Sequence, residues 1–139
     1  MIVLTPNNQF VITASNRNEN IHKYSMQSKG ILATLKTSQE YVWSMACSTD
    51  SKLLFTGYDD GWLDIVEIAS FQTIMRTKIL DSHIFSIECT KNYHSCFVSD
   101  ENGNTKHITW IQNASKEEQF KIGQPTKIGD FSHCTTQIK

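Results

Sequence analysis

The chain has 139 residues, of which 39% are hydrophobic and 10% aromatic, a composition that predicts one folded domain. Thirteen basic and 14 acidic residues give a formal net charge of −1, which argues against binding of nucleic acid by charge alone. No stretch approaches the roughly 18 uninterrupted apolar residues of a membrane-spanning helix, and the first residues lack a secretory pattern, so we expect no membrane insertion.

A series of short strands, rich in Val, Ile, Thr and aromatic residues and separated by Asn, Asp, Gly or Ser clusters, is predicted along the chain. No helical periodicity extends over three turns. The predicted strands are 10–14, 21–25, 31–35, 42–47, 53–57, 63–66, 73–79, 84–89, 96–99 and 105–111, with an outer strand at 119–122. This spacing is typical of a β-sandwich, barrel or propeller.

The sequence repeats itself with a step of 42 residues. At this step Trp43 falls on Phe85, Cys47 on Cys89 and Gly61 on Gly103. The front half of the first unit is shifted by one further residue. A period near 42 with about four strands in each unit is the signature of a propeller blade.

The middle unit carries a family resemblance. Residues 42–68, VWSMACSTDSKLLFTGYDDGWLDIVEI, resemble a WD repeat, in which V-x-S-V-x-F-S-P-D-G-K-L-L-A-S-G-S-D-D-G precedes a strand ending in W-D. The resemblance covers residues 2–111 and implies an all-β fold: three four-stranded antiparallel blades of a partial β-propeller. The implied blades are 1–36, 42–79 and 84–122, and a polar tail, 123–139, follows them.

The sequence departs from the WD pattern at its most characteristic positions. The W-D pair is replaced by Tyr24-Ser25, Val66-Glu67 and Ile108-Thr109. The G-H pair before each blade is missing too, with Ser82-His83 as the one candidate for a shifted remnant. We therefore expect that the family's buried His–Ser–Asp–Trp hydrogen-bond network is not assembled.

No motif predicts catalysis, a cofactor or a metal site. Asp81, Ser82 and His83 are adjacent, and adjacent residues cannot supply a catalytic triad, whose members converge from separate parts of a fold. Four cysteines are present and none forms C-x-x-C, the usual zinc or dithiol spacing. Because Cys47 and Cys89 share one position in the repeat, we interpret them as buried reduced thiols of a cytoplasmic protein, with the nucleus as the alternative location.

Partner-binding residues are chosen by residue type, because Trp and Tyr dominate interface hot spots. Tyr41, Tyr58 and Trp62 lie at strand ends or beside turns, where side chains are often exposed. Trp43 is expected in the core. Several acidic residues of the middle unit could attract a basic partner, although turn positions and solvated strand positions explain them more simply; they are Asp50, Asp59, Asp60, Asp64 and Glu67. Of these, Asp64 is added to the predicted partner-binding set.

The resemblance implies a non-catalytic protein–protein interaction scaffold. The alternative is a propeller fragment or regulatory part of a longer multidomain protein or complex, of the trafficking, ciliary or ubiquitin-ligase type, whose activity lies elsewhere. Propellers close with about 4 to 8 blades, so three blades leave two blade faces uncovered. We expect an apolar patch on each face, and closure by a second copy, by complementary propeller blades or by further blades of a longer chain.

Overall fold

The structure, a computed structural model, describes residues 1–15, 18–37, 41–91, 94–111, 119–124 and 126–127. Its strands form three antiparallel sheets, each following chain order from the first strand to the fourth, which confirms the all-β fold of three blades. The first blade contains β1 (Ile2–Leu4), β2 (Phe10–Ser15), β3 (Asn18–Ser25) and β4 (Ile31–Lys36). The second contains β5 (Val42–Cys47), β6 (Leu53–Tyr58), β7 (Trp62–Glu67) and β8 (Gln72–Lys78).

The third blade contains β9 (Ile84–Cys89), β10 (Ser95–Asp100), β11 (Asn104–Trp110) and β12 (Phe120–Ile122). A short strand, β13 (Thr126–Lys127), also pairs with β11. Most of the predicted polar tail lies outside the described residues. Within the part of the chain that the structure describes, no helix has the length and hydropathy to cross a membrane.

Each blade has two faces, because successive strand residues point to opposite sides of a sheet. We call the face toward the preceding blade the leading face and the other the trailing face. In the second blade, one leading row of paired residues is Cys47, Leu54, Val66 and Thr73. The trailing row beside it is Ala46, Phe55, Ile65 and Met75.

Two apolar cores lie between the blades. The first joins trailing residues of the first blade to leading residues of the second, and includes Ile12, Ile21, Leu54 and Val66. The second joins the second blade to the third, and includes Phe55, Leu63, Ile65, Ile108 and Trp110. All six residues of β6 are buried, because the strand packs against a neighbouring blade on each face.

A recurring turn links the first two strands of a blade. In the first blade the Phe10 backbone N–H donates to the Thr5 hydroxyl (3.0 Å), and in the second the Leu53 N–H donates to the Ser48 hydroxyl (2.9 Å). The Ser48 hydroxyl in turn donates to Asp50 (2.6 Å). These turns occupy the positions at which the sequence resembles the F-S-P-D-G-K segment of a WD repeat.

Two turn glycines have positive φ angles, 77° for Gly61 and 81° for Gly103, which a tight turn favours at glycine. Gly61 ends a single 3-10 turn, Asp59–Gly61, and its carbonyl accepts hydrogen bonds from the N–H groups of Ile79 (2.9 Å) and Leu80 (3.3 Å). A Cβ built on Gly61 would overlap the Leu80 carbonyl group. The turn is therefore packed backbone to backbone against the segment that leads to the third blade.

Part of the WD hydrogen-bond network is missing from the second blade. Thr56 occupies the serine position of the repeat, and its buried hydroxyl has no hydrogen-bond partner among the described residues. Val66, which stands at the tryptophan position, has no side-chain N–H group. The Tyr58 hydroxyl is also buried near Thr56 and Asp64 without reaching hydrogen-bond geometry. The Thr56 hydroxyl thus remains while the Trp donor of its network is gone.

A lysine that the sequence did not single out joins the first two blades. Lys23 is buried, and its ammonium group donates to the carbonyl oxygens of Ile68 (2.7 Å) and Ala69 (3.3 Å) in the second blade. The same group lies 5.1 Å from the ring centres of Phe10 and Phe71. Burial lowers the pKa of Lys23, while the carbonyl dipoles and the aromatic rings stabilise its charge.

Candidate functional site

Aromatic and acidic side chains meet at one edge of the second and third blades. Strand β5 begins beside the end of β6, since Val42 pairs with Tyr58, and β9 begins beside the end of β10, since Ile84 pairs with Asp100. This antiparallel arrangement brings the starts of β5 and β9 to the same edge as the turns after β6 and β10. We call the resulting cluster the aromatic–acidic rim; its members are Trp43, Asp59, His83, Phe85 and Glu101.

Four of these side chains are in mutual contact. The Trp43 ring stacks on the His83 ring, with centroids 4.9 Å apart and an interplanar angle of 20°. The Trp43 Nε1–H donates to Asp59 Oδ1. His83 Nδ1 lies 2.9 Å from the same oxygen, without hydrogen-bond alignment, and His83 Nε2 lies 3.8 Å from Glu101 Oε1. The indole is therefore held in one orientation.

The expectation that Trp43 lies in the core is wrong, because the strand bulges at this residue. In the pairing of β5 with β6, Val42 and Ser44 face consecutive residues of β6, which leaves Trp43 as the extra residue. Phe85 is the extra residue in the pairing of β9 with β10. A bulge re-aims the side chain that it carries. Trp43 is 37% exposed and Phe85 is 63% exposed, so the repeat alignment of the two was right and its interpretation as core was not.

Two of the predicted partner-binding residues are buried. Tyr58 is fully buried and Asp64 is 3% exposed, so neither is available to a partner on the described surface, and the expectation that they are exposed is wrong. Both point from the second blade into its contact with the first blade. Alternation along β6 and β7, together with the order of the blades, dictates this direction.

The charge of Asp64 is paired with Arg76 within the second blade. The Arg76 guanidinium donates to both carboxylate oxygens of Asp64, at 3.3 and 3.4 Å, and lies over the rings of Trp62 (4.9 Å) and Tyr58 (5.8 Å). Burial raises the pKa of Asp64, and the Arg76 charge opposes that rise. Burial likewise raises the pKa of the Tyr58 hydroxyl. Arg76 and Asp64 therefore form a structural ion pair, in which the guanidinium also lies over two aromatic rings.

Tyr41 and Trp62 remain predicted partner-binding residues. Tyr41 is 41% exposed and directly precedes β5, which places it at the edge where the rim lies. Trp62 is half-buried under the Arg76 guanidinium. The sequence could have revealed Phe85 as a further candidate, since it shares its repeat position with Trp43.

The three cysteines that the structure describes, Cys47, Cys89 and Cys96, occupy packing positions. Cys47 ends β5 and Cys89 ends β9, in agreement with their shared place in the repeat. Burial raises the pKa of the Cys47 thiol to about 12. Cys96 faces Cys89 in the neighbouring strand, and that contact together with burial raises the Cys96 pKa as well. Among the residues placed by the structure, no group of three or more His, Cys, Asp or Glu side chains is arranged to hold a metal ion.

No protein-family model and no curated protein matches this sequence. Solved structures do match its fold. The structure of U3-55K has a TM-score of 0.75 and 19% identity, over 91% of this chain and 38% of that one. The crystal structure of the RRP9 WD40 repeats has a TM-score of 0.71 and 20% identity, over 87% of this chain and 37% of that one. A chain in the crystal structure of the mitotic checkpoint complex has a TM-score of 0.67 and 19% identity, over 77% of this chain and 33% of that one.

The chain thus spans between 33% and 38% of the length of these solved structures. TM-scores of 0.67 to 0.75 show a shared fold, while identities of 19% to 20% leave activity and partners open. The strand order, the register and the two interblade cores agree with this similarity. The chain therefore has the fold of three consecutive blades of a WD-repeat β-propeller.

Proposed function

We propose that the chain is a non-catalytic protein–protein interaction module that binds a basic segment of a partner protein at the aromatic–acidic rim. The observation that carries the proposal is the solvent-exposed Trp43, fixed between Asp59 and His83. WD-repeat folds of this kind occur in multiprotein assemblies, and one of the similar structures is that of the mitotic checkpoint complex.

The geometry of the rim favours tight contact at low entropic cost. A side chain that is already ordered before binding loses less conformational freedom when a partner arrives. The stacking on His83 and the hydrogen bond to Asp59 order Trp43 in this way. Tyr41 and Phe85 add exposed aromatic surface at the same edge.

Charge at the rim selects the partner. Asp60 and Glu101 are exposed beside the aromatic side chains, and Asp59 is half-buried behind them. Carboxylates next to exposed rings attract Lys and Arg side chains, which also bind over aromatic faces. We therefore propose that the bound segment is rich in Arg or Lys.

A second candidate function is that of a propeller fragment or regulatory part of a longer protein or complex. The observation that favours it is the span of the chain, at most 38% of each of the similar structures. A cytoplasmic location, with the nucleus as the alternative, belongs to both candidates and is supported by the free thiols of Cys47, Cys89 and Cys96.

The test is a binding assay with two peptide libraries of equal length, one enriched in Arg and Lys and one with Asp and Glu at the same positions. We expect the chain to bind members of the basic library. Because a hot-spot truncation is worth 2 kcal/mol or more, Trp43→Ala should weaken this binding about 30-fold. Fluorescence polarisation measures the dissociation constants.

Leu32→Ala is the matched control, since Leu32 is 54% exposed on a strand of the first blade. It should leave the dissociation constants unchanged. Equal binding by the wild type and Trp43→Ala, or a preference for the acidic library, would contradict the proposal.

A further inference from the structure

One side chain of the aromatic–acidic rim belongs to a residue type that changes charge near neutral pH. A histidine ring ordinarily gains a proton between about pH 8 and about pH 5. His83 lies in the segment between β8 and β9, and its ring stacks on the Trp43 ring, with centroids 4.9 Å apart. The ionisable ring is therefore in direct contact with the indole on which the proposed binding site rests.

The two ring nitrogens of His83 face carboxylates from two different turns. Nδ1 lies 2.9 Å from Asp59 Oδ1 in the turn after β6, and Nε2 lies 3.8 Å from Glu101 Oε1 in the turn after β10. Asp60 adjoins Asp59, and Asp81 precedes His83 by two residues; both are exposed. In the described part of the chain, neither Asp59 nor Glu101 forms an ion pair with a lysine or arginine. His83 is thus the side chain placed to offset the negative charge of the rim.

The Nδ1 atom of His83 lacks a hydrogen-bond partner among the described residues, although it is buried. The nearby Asp59 Oδ1 already accepts the Trp43 Nε1–H. Buried polar atoms without a partner are rare, and each one calls for an explanation. A protonated imidazole carries N–H groups on both nitrogens, and an Asp carboxylate has further acceptor positions. The surroundings of the ring therefore suit its protonated form as well as its neutral form.

We propose that His83 is a pH-dependent switch of the aromatic–acidic rim. The neutral ring leaves the charges of Asp59 and Glu101 available to a basic segment, whereas the protonated ring pairs with both carboxylates and repels that segment. The inference rests on the proposed function, because it concerns the same surface. Since the proton and the basic partner compete for the same carboxylates, binding strengthens as the pH rises and weakens as it falls. Asp and Glu side chains ordinarily stay ionised above about pH 5, so they do not produce this dependence.

The first measurement is the affinity for a basic peptide at two pH values. The probe is a labelled peptide of the basic library that has blocked termini and contains no His, Asp or Glu, so its own charge stays constant. Fluorescence polarisation gives its dissociation constant at about pH 7.5 and about pH 5.5, on either side of the ordinary titration of histidine. A unit charge about 4 Å from the bound cation corresponds in water to about a fivefold weaker affinity at the lower pH.

Two variants assign the pH dependence to one ring. His83→Gln removes the titrating group and keeps a polar side chain, so its dissociation constant should be the same at both pH values. His22→Gln is the matched control, because His22 lies in the first blade, where its Nδ1 is 3.0 Å from the Thr34 hydroxyl. It should retain the full pH dependence. Circular dichroism verifies that both variants are folded at each pH.

The second measurement needs no partner. A protonated imidazole quenches the fluorescence of an indole on which it stacks, so tryptophan emission should fall on acidification. Trp110 also has a histidine neighbour, His94, with ring centroids 5.9 Å apart. The quenching that belongs to the rim is therefore the part that is lost in both Trp43→Phe and His83→Gln.

The outcomes separate the switch from the proposed function. Basic-peptide binding that is equal at the two pH values, or that changes equally in His83→Gln, would overturn the switch and leave the proposed function intact. A tryptophan emission on which His83→Gln has no effect would do the same. Absence of binding to any basic peptide at either pH would overturn the proposed function and the switch together.

Discussion

Replacement of Gly61 by alanine is expected to lower the free energy of unfolding by about 3 kcal/mol. A left-handed backbone costs a non-glycine residue roughly 1–2 kcal/mol, and Gly61 has a φ of 77°. The new Cβ would also overlap the Leu80 carbonyl group, which is backbone and cannot rotate away. Overpacking of this kind adds about 1–3 kcal/mol. Urea denaturation monitored by tryptophan fluorescence measures the change.

Alanine substitutions at two other glycines distinguish backbone strain from overpacking as causes of this loss of stability. Gly103→Ala shares the positive φ, at 81°, and should cost about 1–2 kcal/mol from backbone strain. Gly30→Ala should change stability by less than about 0.5 kcal/mol, because a Cβ there would meet its nearest neighbour, the Ser28 hydroxyl, at 3.7 Å. A Gly61→Ala protein as stable as Gly30→Ala would contradict the packing of this turn.

Removal of Arg76 is expected to be the other large effect. Arg76→Ala leaves the Asp64 carboxylate, whose side chain is 4% exposed, without its ion partner. Breaking a buried pair in this way costs about 3–5 kcal/mol. The double variant Asp64→Leu/Arg76→Met should recover most of the loss, since it removes both charges and keeps apolar volume. Equal stability of Arg76→Ala and the wild type would show that the pair contributes nothing.

The loss caused by Arg76→Ala should depend on pH. Burial already raises the pKa of Asp64, and the Arg76 charge opposes this rise, so its removal raises the pKa further. A folded pKa above the unfolded value means that the stability contribution is present at low pH and is lost as the pH rises through the folded pKa. The deficit should therefore be largest near neutral pH and shrink toward about pH 4, where the carboxyl group is protonated.

The fold was predictable from the sequence because the repeat is visible at a fixed step. The coincidence of Cys47 with Cys89 and of Gly61 with Gly103 located two blades, and the turn glycines fixed where their hairpins end. The continuous apolar run Leu53-Leu54-Phe55 at the start of β6 predicted a strand buried on both faces. These are local signals of turn chemistry and periodicity, which a single sequence carries.

The side-chain environment of the rim was not predictable, because it depends on register. Trp43 and Phe85 are exposed through bulges that shift the pairing by one residue, and a sequence pattern does not display a bulge. Tyr58 and Asp64 are buried because their faces meet the first blade, a fact of blade order rather than of residue type. Of the four predicted partner-binding residues, Tyr41 and Trp62 remain accessible.

The polar residues on the trailing face of the third blade could be assigned to that face only after the strand registers were known. The repeat alignment places His107 on Ile65, but one such pair does not show which face it occupies. The paired strands place His107, Glu88 and Phe97 in one row on the trailing face. Lys23 gave no sequence signal, since its partners are backbone carbonyl groups.

Amide hydrogen exchange on this 139-residue chain tests most directly whether the second blade is packed between two others. All of β6 is buried, and β7 is buried at four of its positions. Amides in fully packed elements open only with free energies near that of global unfolding. We therefore expect β6 and β7 to exchange most slowly, with β2 and β3 of the first blade and β10 and β11 of the third exchanging faster. Slower exchange in the first or third blade than in β6 and β7 would contradict the three-blade arrangement.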